Sequence, residues 1–177
     1  KKHDHVLIPA GTVHCSGADT MVLEISATPY IFTFKLWDWG RVDLDGKPRP
    51  IHLEHGAANI QWYRNTEWVH RNLVNAVAEV YTGENGTVVR TGLHEREFLD
   101  TFRFTTSSAL PVHRNGSVHM LNLVDGTRAV LRSKSDAFPP LELHYAETCI
   151  VPQAAGDYEI YSPDGSEVKV ILACVRN

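Results

Sequence analysis

The second half of the chain consists of short segments with strand character that are separated by turn residues. In residues 98–104, three phenylalanines and an aspartate alternate with the other side chains, so they share one face of an extended segment. Four more short segments follow, at residues 142–145, 148–151, 158–161 and 168–175. Short strands at regular spacing are typical of an all-β sandwich or barrel. The sequence therefore predicts a β-sandwich for this part of the chain.

An Asp-Gly dipeptide joins two further segments of this kind. Residues 118–124 lead into Asp125 and Gly126, and residues 127–131 follow. Asp-Gly between two such segments is a hairpin signature, because glycine adopts the backbone angles of a tight turn. We expect these two strands to pair with each other.

The first residues read as a strand, a turn and a histidine. Residues 6–8 form a continuous apolar run, as in a strand of a sandwich core. Pro9 ends the strand because it lacks an N–H group, and Gly11 permits a tight turn. His14 is then expected to begin the next strand, where a neutral imidazole is a good metal ligand. The alternative is a histidine held by ordinary core or turn contacts, since one histidine does not make a site.

A second strand is predicted at residues 21–25, where Glu24 interrupts an apolar run. A carboxylate in this position either faces solvent or is a buried group with a role. Burial of an unpaired charge is unfavourable, so the second case requires a partner.

Residues 30–39 show clear alternation of two faces. One face is largely apolar and is expected in the core. The other carries Thr33, Lys35, Trp37 and Trp39. Flat aromatic rings beside hydrogen-bond donors suit a wall that binds a sugar, although an ordinary exposed strand face can have the same composition.

A turn is expected at residues 41–50, where an Asp-Gly dipeptide and two prolines oppose regular structure. Basic side chains in and beside this turn could hold an anion such as phosphate; they are Lys35, Arg41, Lys47 and Arg49. The alternative is a solvated basic loop, which is the preferred interpretation for Lys47 and Arg49.

Two short helices are predicted between the halves of the chain. The first covers residues 52–60, and the second runs from Asn65, as N-cap, to about residue 74. Residues 74–81 either continue this helix or are extended.

Composition limits the partners and the compartment. The 177 residues carry a formal charge of −4, which argues against nucleic acid or an anionic membrane as partners. No apolar run is long enough to span a bilayer. Three cysteines without a secretory signal predict reduced thiols in a cytoplasmic protein. Because a predicted buried strand follows the first residues at once, we expect a fragment or the C-terminal region of a longer protein.

The beginning of the chain has an internal counterpart. Residues 4–14 and residues 147–157 both run from an acidic residue through an apolar strand to a proline and a turn of small residues. Asp157 stands in the second copy where His14 stands in the first. This repeat predicts two related β modules, of which the first holds the site and the second is structural.

Three motifs in these regions resemble those of cupins and, more closely, of bacterial type I mannose-6-phosphate isomerases. The first is IPAGTVHCSG at residues 8–17, which matches the family pattern P-x-G-T-x-H-x-x-G. The second spans residues 22–54 and includes YIFTFKLWDWGR, and the third is ETCIVPQAAGDY at residues 147–158. The resemblance implies an all-β, cupin-type jelly-roll β-sandwich, in which short helical segments join two related β modules.

The same resemblance divides the chain into three parts. Residues 1–50 would hold the C-terminal strands of a first cupin module with the metal-binding histidine. Residues 51–95 would be a helical or irregular linker, and residues 96–177 a second, structural cupin module.

Functional roles are carried over by resemblance, residue by residue. His14 would ligate zinc or another divalent metal, and Glu24 would lie at the base of the sugar pocket. Lys35 stands where many family members have an arginine that is assigned to proton transfer; lysine keeps the charge but loses the planar fork. Arg41 would hold the phosphate or pair with Asp38. The implied catalytic residues are Lys35, Arg41 and Glu24, and the implied substrate-binding residues are Asp38, Trp37 and Thr33.

The family's other zinc ligands precede the P-x-G-T-x-H motif, where this sequence has only five residues before the strand. A zinc site needs three or four protein ligands. We therefore expect this chain to carry one ligand of a complete site.

The resemblance implies an isomerase that interconverts mannose 6-phosphate and fructose 6-phosphate, with zinc as Lewis acid and Lys35 or Arg41 stabilising the enediol. A non-catalytic cupin that binds carbohydrate or has a regulatory role is the alternative. A cupin dioxygenase would require two histidines and a carboxylate, which this sequence does not assemble. The oligomeric state is left open.

Overall fold

The computed structural model describes residues 1–27, 33–91 and 94–176. It divides the chain into two compact units. The sandwich unit consists of Lys1–Leu7 and the chain from Asn75 onward, and the loop-helix unit consists of Ile8–Val74.

The sandwich unit contains ten strands in two antiparallel sheets. The strands are β1 Ala78–Gly83, β2 Gly86–Arg90, β3 Leu99–Thr106, β4 Ala109–Val112, β5 His119–Asp125, β6 Arg128–Ser133, β7 Leu141–His144, β8 Thr148–Val151, β9 Tyr158–Tyr161 and β10 Val168–Val175. One sheet has the order β1-β2-β3-β10-β5-β8, and the other has the order β4-β9-β6-β7. The predicted β-sandwich is confirmed, including the four late strands β7 to β10.

The core of the sandwich follows from the alternation within its strands. In β5, His119, Leu121 and Leu123 are buried, whereas Met120 lies on the outer face. Ile160 on β9 contributes to the same core from the other sheet. The inward side chains of both sheets thus share one apolar layer.

The predicted hairpin at Gly126 is wrong. β5 pairs with β10 and β8, whereas β6 pairs with β7 and β9 in the other sheet. Gly126 has φ +89°, and a Cβ atom there would lie 2.8 Å from a methyl group of Val168. The dipeptide does form a turn, but the turn takes the chain from one sheet to the other.

The loop-helix unit contains the two predicted helices, α1 Leu53–Asn59 and α2 Thr66–Asn72. Asn65 caps α2, since its side-chain oxygen accepts the Trp68 N–H at 3.0 Å. In the described parts of the chain, neither helix is long and apolar enough to cross a membrane. The ambiguous residues 74–81 are extended at their end, where they form β1.

The strands predicted in the first part of the chain are wrong within the described residues. Residues 6–8, 21–25 and 33–39 form no strand, and residues 28–32 of the chain, which include the start of the predicted 30–39 strand, lie outside the described residues. A strand is stable when a neighbouring strand satisfies the hydrogen bonds of its backbone groups. Among the described residues, no strand of either sheet pairs with these segments. Ile8 and Leu23 are accordingly 44% and 46% exposed. The predicted boundaries at residues 50 and 95 stay a prediction.

The two copies of the repeat share their turn but not their strand. The amide of Thr12 donates to the carbonyl of Pro9 at 3.2 Å, and the amide of Ala155 donates to that of Pro152 at 3.0 Å. In the second copy the turn follows β8; in the first it follows a segment that belongs to no strand. The repeated sequence therefore determines a local turn, whereas the formation of a strand depends on which other strands lie beside it.

Candidate functional site

A buried carboxylate, Asp38, is the centre of a charged cluster in the loop-helix unit. Oδ2 of Asp38 lies 3.0 Å from Nε of Arg49 and 3.5 Å from Nζ of Lys35. The Asp38 residue is 9% exposed, whereas the side chains of Lys35 and Arg49 are 32% and 38% exposed. One buried negative charge thus holds two cations whose outer surfaces can reach a ligand. We call these three residues the Asp38 cluster.

The loop between Asp38 and Arg49 folds back on itself and brings the two residues together. The amide of Arg41 donates to the carbonyl of Asp38 at 2.9 Å, and the amide of Arg49 donates to the carbonyl of Arg41 at 3.0 Å. Oδ1 of Asp43 accepts the amide of Lys47 at 2.9 Å, which closes the tip of the loop. The interpretation of Arg49 as a solvated loop residue is therefore wrong, because this loop places the guanidinium of Arg49 beside the carboxylate of Asp38. Arg41, which the resemblance offers as a partner of Asp38, is exposed.

Helix α1 anchors the other side of the cluster. The amide of Lys35 donates to Nδ1 of His52 at 3.2 Å, and the amide of His52 donates to the carbonyl of Lys35 at 2.7 Å. The ring of Phe34 stacks on His55 with centroids 5.8 Å apart. Residues around Lys35 are therefore held by the first turn of the helix rather than by a sheet.

Two tryptophans flank Asp38 in the chain and lie in solvent. The rings of Trp37 and Trp39 have centroids 4.2 Å apart and planes inclined by 39°. Their exposed fractions are 66% and 58%. Thr33 is exposed as well. These residues lie in a short segment that is not a strand, and the substrate-binding roles of Trp37, Asp38 and Thr33 stay predictions.

His14 lies in an exposed loop and does not begin a strand. Its Nδ1 atom is 2.9 Å from the carbonyl oxygen of Thr12. Since a carbonyl only accepts, Nδ1 carries the hydrogen, and the lone pair of Nε2 is left for a ligand. Glu24 is exposed, and no contact described in the structure joins Glu24 or His14 to the Asp38 cluster.

The residues present do not fit a complete zinc site. Among the described residues, no three histidine, cysteine, aspartate or glutamate side chains lie close enough together to hold a metal ion. His14 can contribute one nitrogen, whereas a zinc site needs three or four protein ligands. The implied zinc therefore stays a prediction that this set of residues does not support by itself.

Arg64 fixes the turn that precedes His14. Its Nη1 atom donates to the carbonyls of Pro9 at 3.1 Å and Ala10 at 2.8 Å, and to Oγ1 of Thr12 at 2.6 Å. A cavity of about 180 Å³ lies at this turn; its lining is Gly11, Thr12, Val13, Ile60, Gln61, Trp62, Arg64 and Val69. Sequence reasoning missed Arg64 because no local pattern connects it with a turn that lies more than fifty residues earlier.

A second polar group that the sequence did not reveal lies in the core of the sandwich unit. Nδ1 of buried His119 is 2.9 Å from the hydroxyl of Tyr158, and Nε2 is 3.1 Å from Oδ1 of Asn115. Asn115 in turn donates to Sγ of Cys174 at 3.2 Å. Burial lowers the pKa of His119 to about 4, and the nearby charge of Arg114 acts in the same direction. At neutral pH the imidazole is therefore uncharged and serves as a structural hydrogen-bonding group.

Asp157, the counterpart of His14 in the repeat, takes part in a surface contact. Its carboxylate lies 2.9 Å from Nδ1 of His113 and accepts the amide of Arg114 at 2.9 Å. These contacts tie the turn after β8 to the segment before β5. The structural role that the sequence assigns to the second module stays a prediction.

No protein-family model and no curated protein matches this chain. Among solved structures, it is similar to mannose 6-phosphate isomerase from Bacillus subtilis, with 13% identity and a TM-score of 0.54 over 77% of this chain and 38% of that chain. A cupin-2 domain from Rhodospirillum rubrum has 10% identity and a TM-score of 0.47, covering 58% of this chain and 72% of its own. Vicilin from Corylus avellana (hazelnut) has 12% identity and a TM-score of 0.46, covering 56% and 31%.

These likenesses concern the fold. The chain spans little more than a third of the length of the Bacillus subtilis enzyme. At such identities a shared arrangement of strands says nothing of the reaction. The two antiparallel sheets and their buried common layer give this chain a β-sandwich fold.

Proposed function

We propose that this chain contributes to a metal-dependent aldose–ketose isomerase that interconverts mannose 6-phosphate and fructose 6-phosphate. The observation that carries the proposal is the Asp38 cluster, where two partly exposed cations are held on one buried carboxylate. The likeness in fold to a mannose 6-phosphate isomerase supports it, and so do the motifs shared with that family. This chain spans 38% of the length of that enzyme. Its part in the activity of a whole enzyme is therefore a proposal.

The charges of the cluster suit a sugar phosphate. Arg49 presents a planar set of donors that matches phosphate oxygens, and Lys35 presents a compact positive charge. Arg41 is exposed beside them in sequence and adds a third cation. Lys35 or Arg41 would stabilise the negative charge that forms on the sugar oxygens when a proton moves between neighbouring carbons. His14 would bind zinc or another divalent metal only together with ligands that the described residues do not supply.

A non-catalytic cupin that binds carbohydrate or has a regulatory role is the second candidate. The absence of a three-ligand metal set among the described residues favours it. In both cases the ligand is a small molecule. The three cysteines are free thiols, which fits the cytoplasmic location that we propose.

An assay of mannose 6-phosphate isomerisation with added zinc tests the first candidate. We expect His14→Ala to lower turnover about a hundredfold or more, because loss of even an outer-shell partner of a metal ligand costs about 10–100-fold. Lys35→Met and Arg49→Met should each raise KM about tenfold or more, as expected when a charged hydrogen bond is lost. Arg71→Met is the matched control, because Arg71 is an exposed arginine that pairs with Glu67 on α2.

Unchanged turnover in His14→Ala would contradict a metal role for this histidine. Sugar-phosphate binding without turnover, with or without zinc, would favour the non-catalytic cupin.

A further inference from the structure

The side chain of Arg64 has hydrogen-bonding capacity that the protein does not use. A guanidinium carries five N–H donors, and only Nη1 of Arg64 donates, to acceptors in the turn at residues 9–12. Nε is buried without a hydrogen-bond partner. Among the residues that the structure describes, Nη2 has no acceptor either. Because Nε is enclosed, Nη2 is the donor that remains for a ligand.

Arg114 of the sandwich unit shows how an arginine with a purely structural role is satisfied. Its Nε donates to Oε1 of Gln153 at 3.2 Å, Nη1 donates to the carbonyl of Val151 at 3.4 Å, and Nη2 donates to the carbonyl of Ser117. All three side-chain nitrogens of Arg114 are thus bonded, whereas Arg64 uses one of its three.

No carboxylate neutralises the positive charge of Arg64. Within residues 1–27, 33–91 and 94–176, no aspartate or glutamate oxygen lies within 4.0 Å of a side-chain nitrogen of Arg64. Cζ of Arg64 lies 5.6 Å from the ring centroid of Tyr63 and 5.4 Å from that of Trp68. These rings attract the cation but carry no negative charge of their own. A half-buried cation without a counter-ion is unfavourable, and an anion beside it relieves this cost.

The cavity that Arg64 lines has one charged group and mostly apolar walls. Its volume is about 180 Å³, and a cavity of about 150 Å³ is enough to bind benzene. The apolar walls come from Val13, Ile60, Trp62 and Val69, and none of the described residues that line the cavity is acidic. We call it the Arg64 cavity.

Thr12 gives the Arg64 cavity a second donor. Its Oγ1 atom accepts Nη1 of Arg64 at 2.6 Å, so the hydroxyl hydrogen is left to donate. In the described part of the chain, no acceptor takes this hydrogen. A carboxylate has two oxygens, and both can accept charge-assisted or hydroxyl hydrogen bonds.

We propose that the Arg64 cavity binds a small monocarboxylate whose apolar body is about the size of a benzene ring. The carboxylate neutralises Arg64 and accepts from Nη2 of Arg64 and from the hydroxyl of Thr12, while the apolar body lies against Ile60 and Val69. A doubly charged phosphate would leave a negative charge among apolar walls, and a neutral sugar would leave its own hydroxyl groups unpaired there. None of the lining residues belongs to the Asp38 cluster, so this inference goes beyond the proposed function and does not depend on it.

Calorimetric titration of the full 177-residue chain tests the Arg64 cavity, with benzoate, benzamide, acetate and inorganic phosphate as probes. Benzamide has the ring of benzoate without its charge, and acetate has the charge without the ring. We expect benzoate to bind about tenfold or more tightly than either, because it alone uses both the cation and the apolar walls.

Two variants locate the binding. Arg64→Met should weaken benzoate binding about tenfold or more, but it also removes the hydrogen bonds to the turn. Val69→Phe fills the cavity from α2 and removes none of the hydrogen bonds of Arg64. It should also weaken benzoate binding, because the added ring occupies the space of the ligand. His70→Phe is the matched control, since His70 is the exposed neighbour of Val69 and does not line the cavity.

Benzoate binding that His70→Phe retains and that Arg64→Met and Val69→Phe lose supports the proposal, whether or not the chain takes part in isomerisation. Equal affinity for benzoate in wild type and Val69→Phe would overturn the site, as would a lack of benzoate binding in the wild type. Benzamide or acetate that binds as tightly as benzoate would overturn the ligand class, and so would inorganic phosphate that displaces benzoate at equal concentration.

Discussion

Oδ2 of Asp38 lies 3.0 Å from Nε of Arg49 in an ion pair, although a loop that contains Pro48 separates these residues in the chain. This ion pair joins the loop to the short segment around Asp38. It also explains how a segment outside any sheet keeps defined side-chain positions.

Replacement of Asp38 tests this role directly. Asp38→Asn removes the buried negative charge that Lys35 and Arg49 contact. We expect the loop-helix unit to lose about 1–3 kcal/mol of stability. Urea unfolding of the purified chain measures the change, with Asp45→Asn at the exposed tip of the same loop as control. Equal unfolding of the two variants would show that the pair contributes no net stability.

Gly11 has a conformation and surroundings that exclude a side chain. Its φ is +83°, and a Cβ atom would lie 2.7 Å from the carbonyl oxygen of Asn59. Gly11→Ala should therefore destabilise the turn by more than the ordinary cost of about 1–2 kcal/mol for a left-handed alanine. The hydrogen-exchange rate of the Gln61 amide, which donates to the Gly11 carbonyl at 2.9 Å, reports this.

The control for Gly11 is Gly46→Ala. Gly46 has φ +73°, but a methyl group added there would meet no neighbouring atom within 4 Å, so this variant isolates backbone strain from collision. Similar effects of the two substitutions on stability would contradict a collision at Gly11.

Arg64 should be required for the order of the turn before His14. Arg64→Met removes the donor shared by Pro9, Ala10 and Thr12, and charged hydrogen bonds contribute about 1.5–3 kcal/mol. The Thr12 amide should then exchange with solvent more than about tenfold faster. Arg71→Met on α2 is the control, and a Thr12 amide with unchanged exchange would rule out this role of Arg64.

His119 should make stability depend on pH. Its pKa of about 4 in the folded chain lies below the ordinary histidine value of 6.5, so the unfolded chain binds the proton more readily. The stability that neutral His119 contributes is fully present above the pKa that this histidine has in the unfolded chain. It is lost as the pH falls from about 6.5 to 4, and it totals about 3 kcal/mol. Urea unfolding at several pH values measures it.

Two variants identify the group responsible. His119→Gln should remove that part of the pH dependence, whereas His113→Gln, at an exposed histidine, should retain it. Parallel stability curves for wild type and His119→Gln would show that another group titrates.

The sequence predicted the late strands because their signal is local. β8, β9 and β10 lie where alternation and turn residues place them, and Asn65 caps α2 as its position before the helix predicts. The hairpin at Gly126 failed for the converse reason. A dipeptide determines the angles of a turn, whereas the choice of sheet depends on which strands are available to pair.

The site shows the same division between local and distant contacts. Lys35 and Asp38 are three residues apart, and their contact follows from a short segment. Arg49 reaches Asp38 only through the closed loop, and Arg64 reaches Thr12 across fifty-two residues. Alternation over residues 30–39 predicts neither of these two longer contacts, because both depend on how separate segments meet.

The position of β10 has a consequence for biosynthesis. The last strand of the sandwich unit lies between β3 and β5, so it joins the β1-β2-β3 part of the larger sheet to the β5-β8 part. Until residues 168–175 have left the ribosome, β3 and β5 each present an unpaired edge. The larger sheet is therefore completed only after β10 has been synthesised, and nascent chains halted between β8 and β10 leave these two strand edges open to aggregation and to chaperone capture.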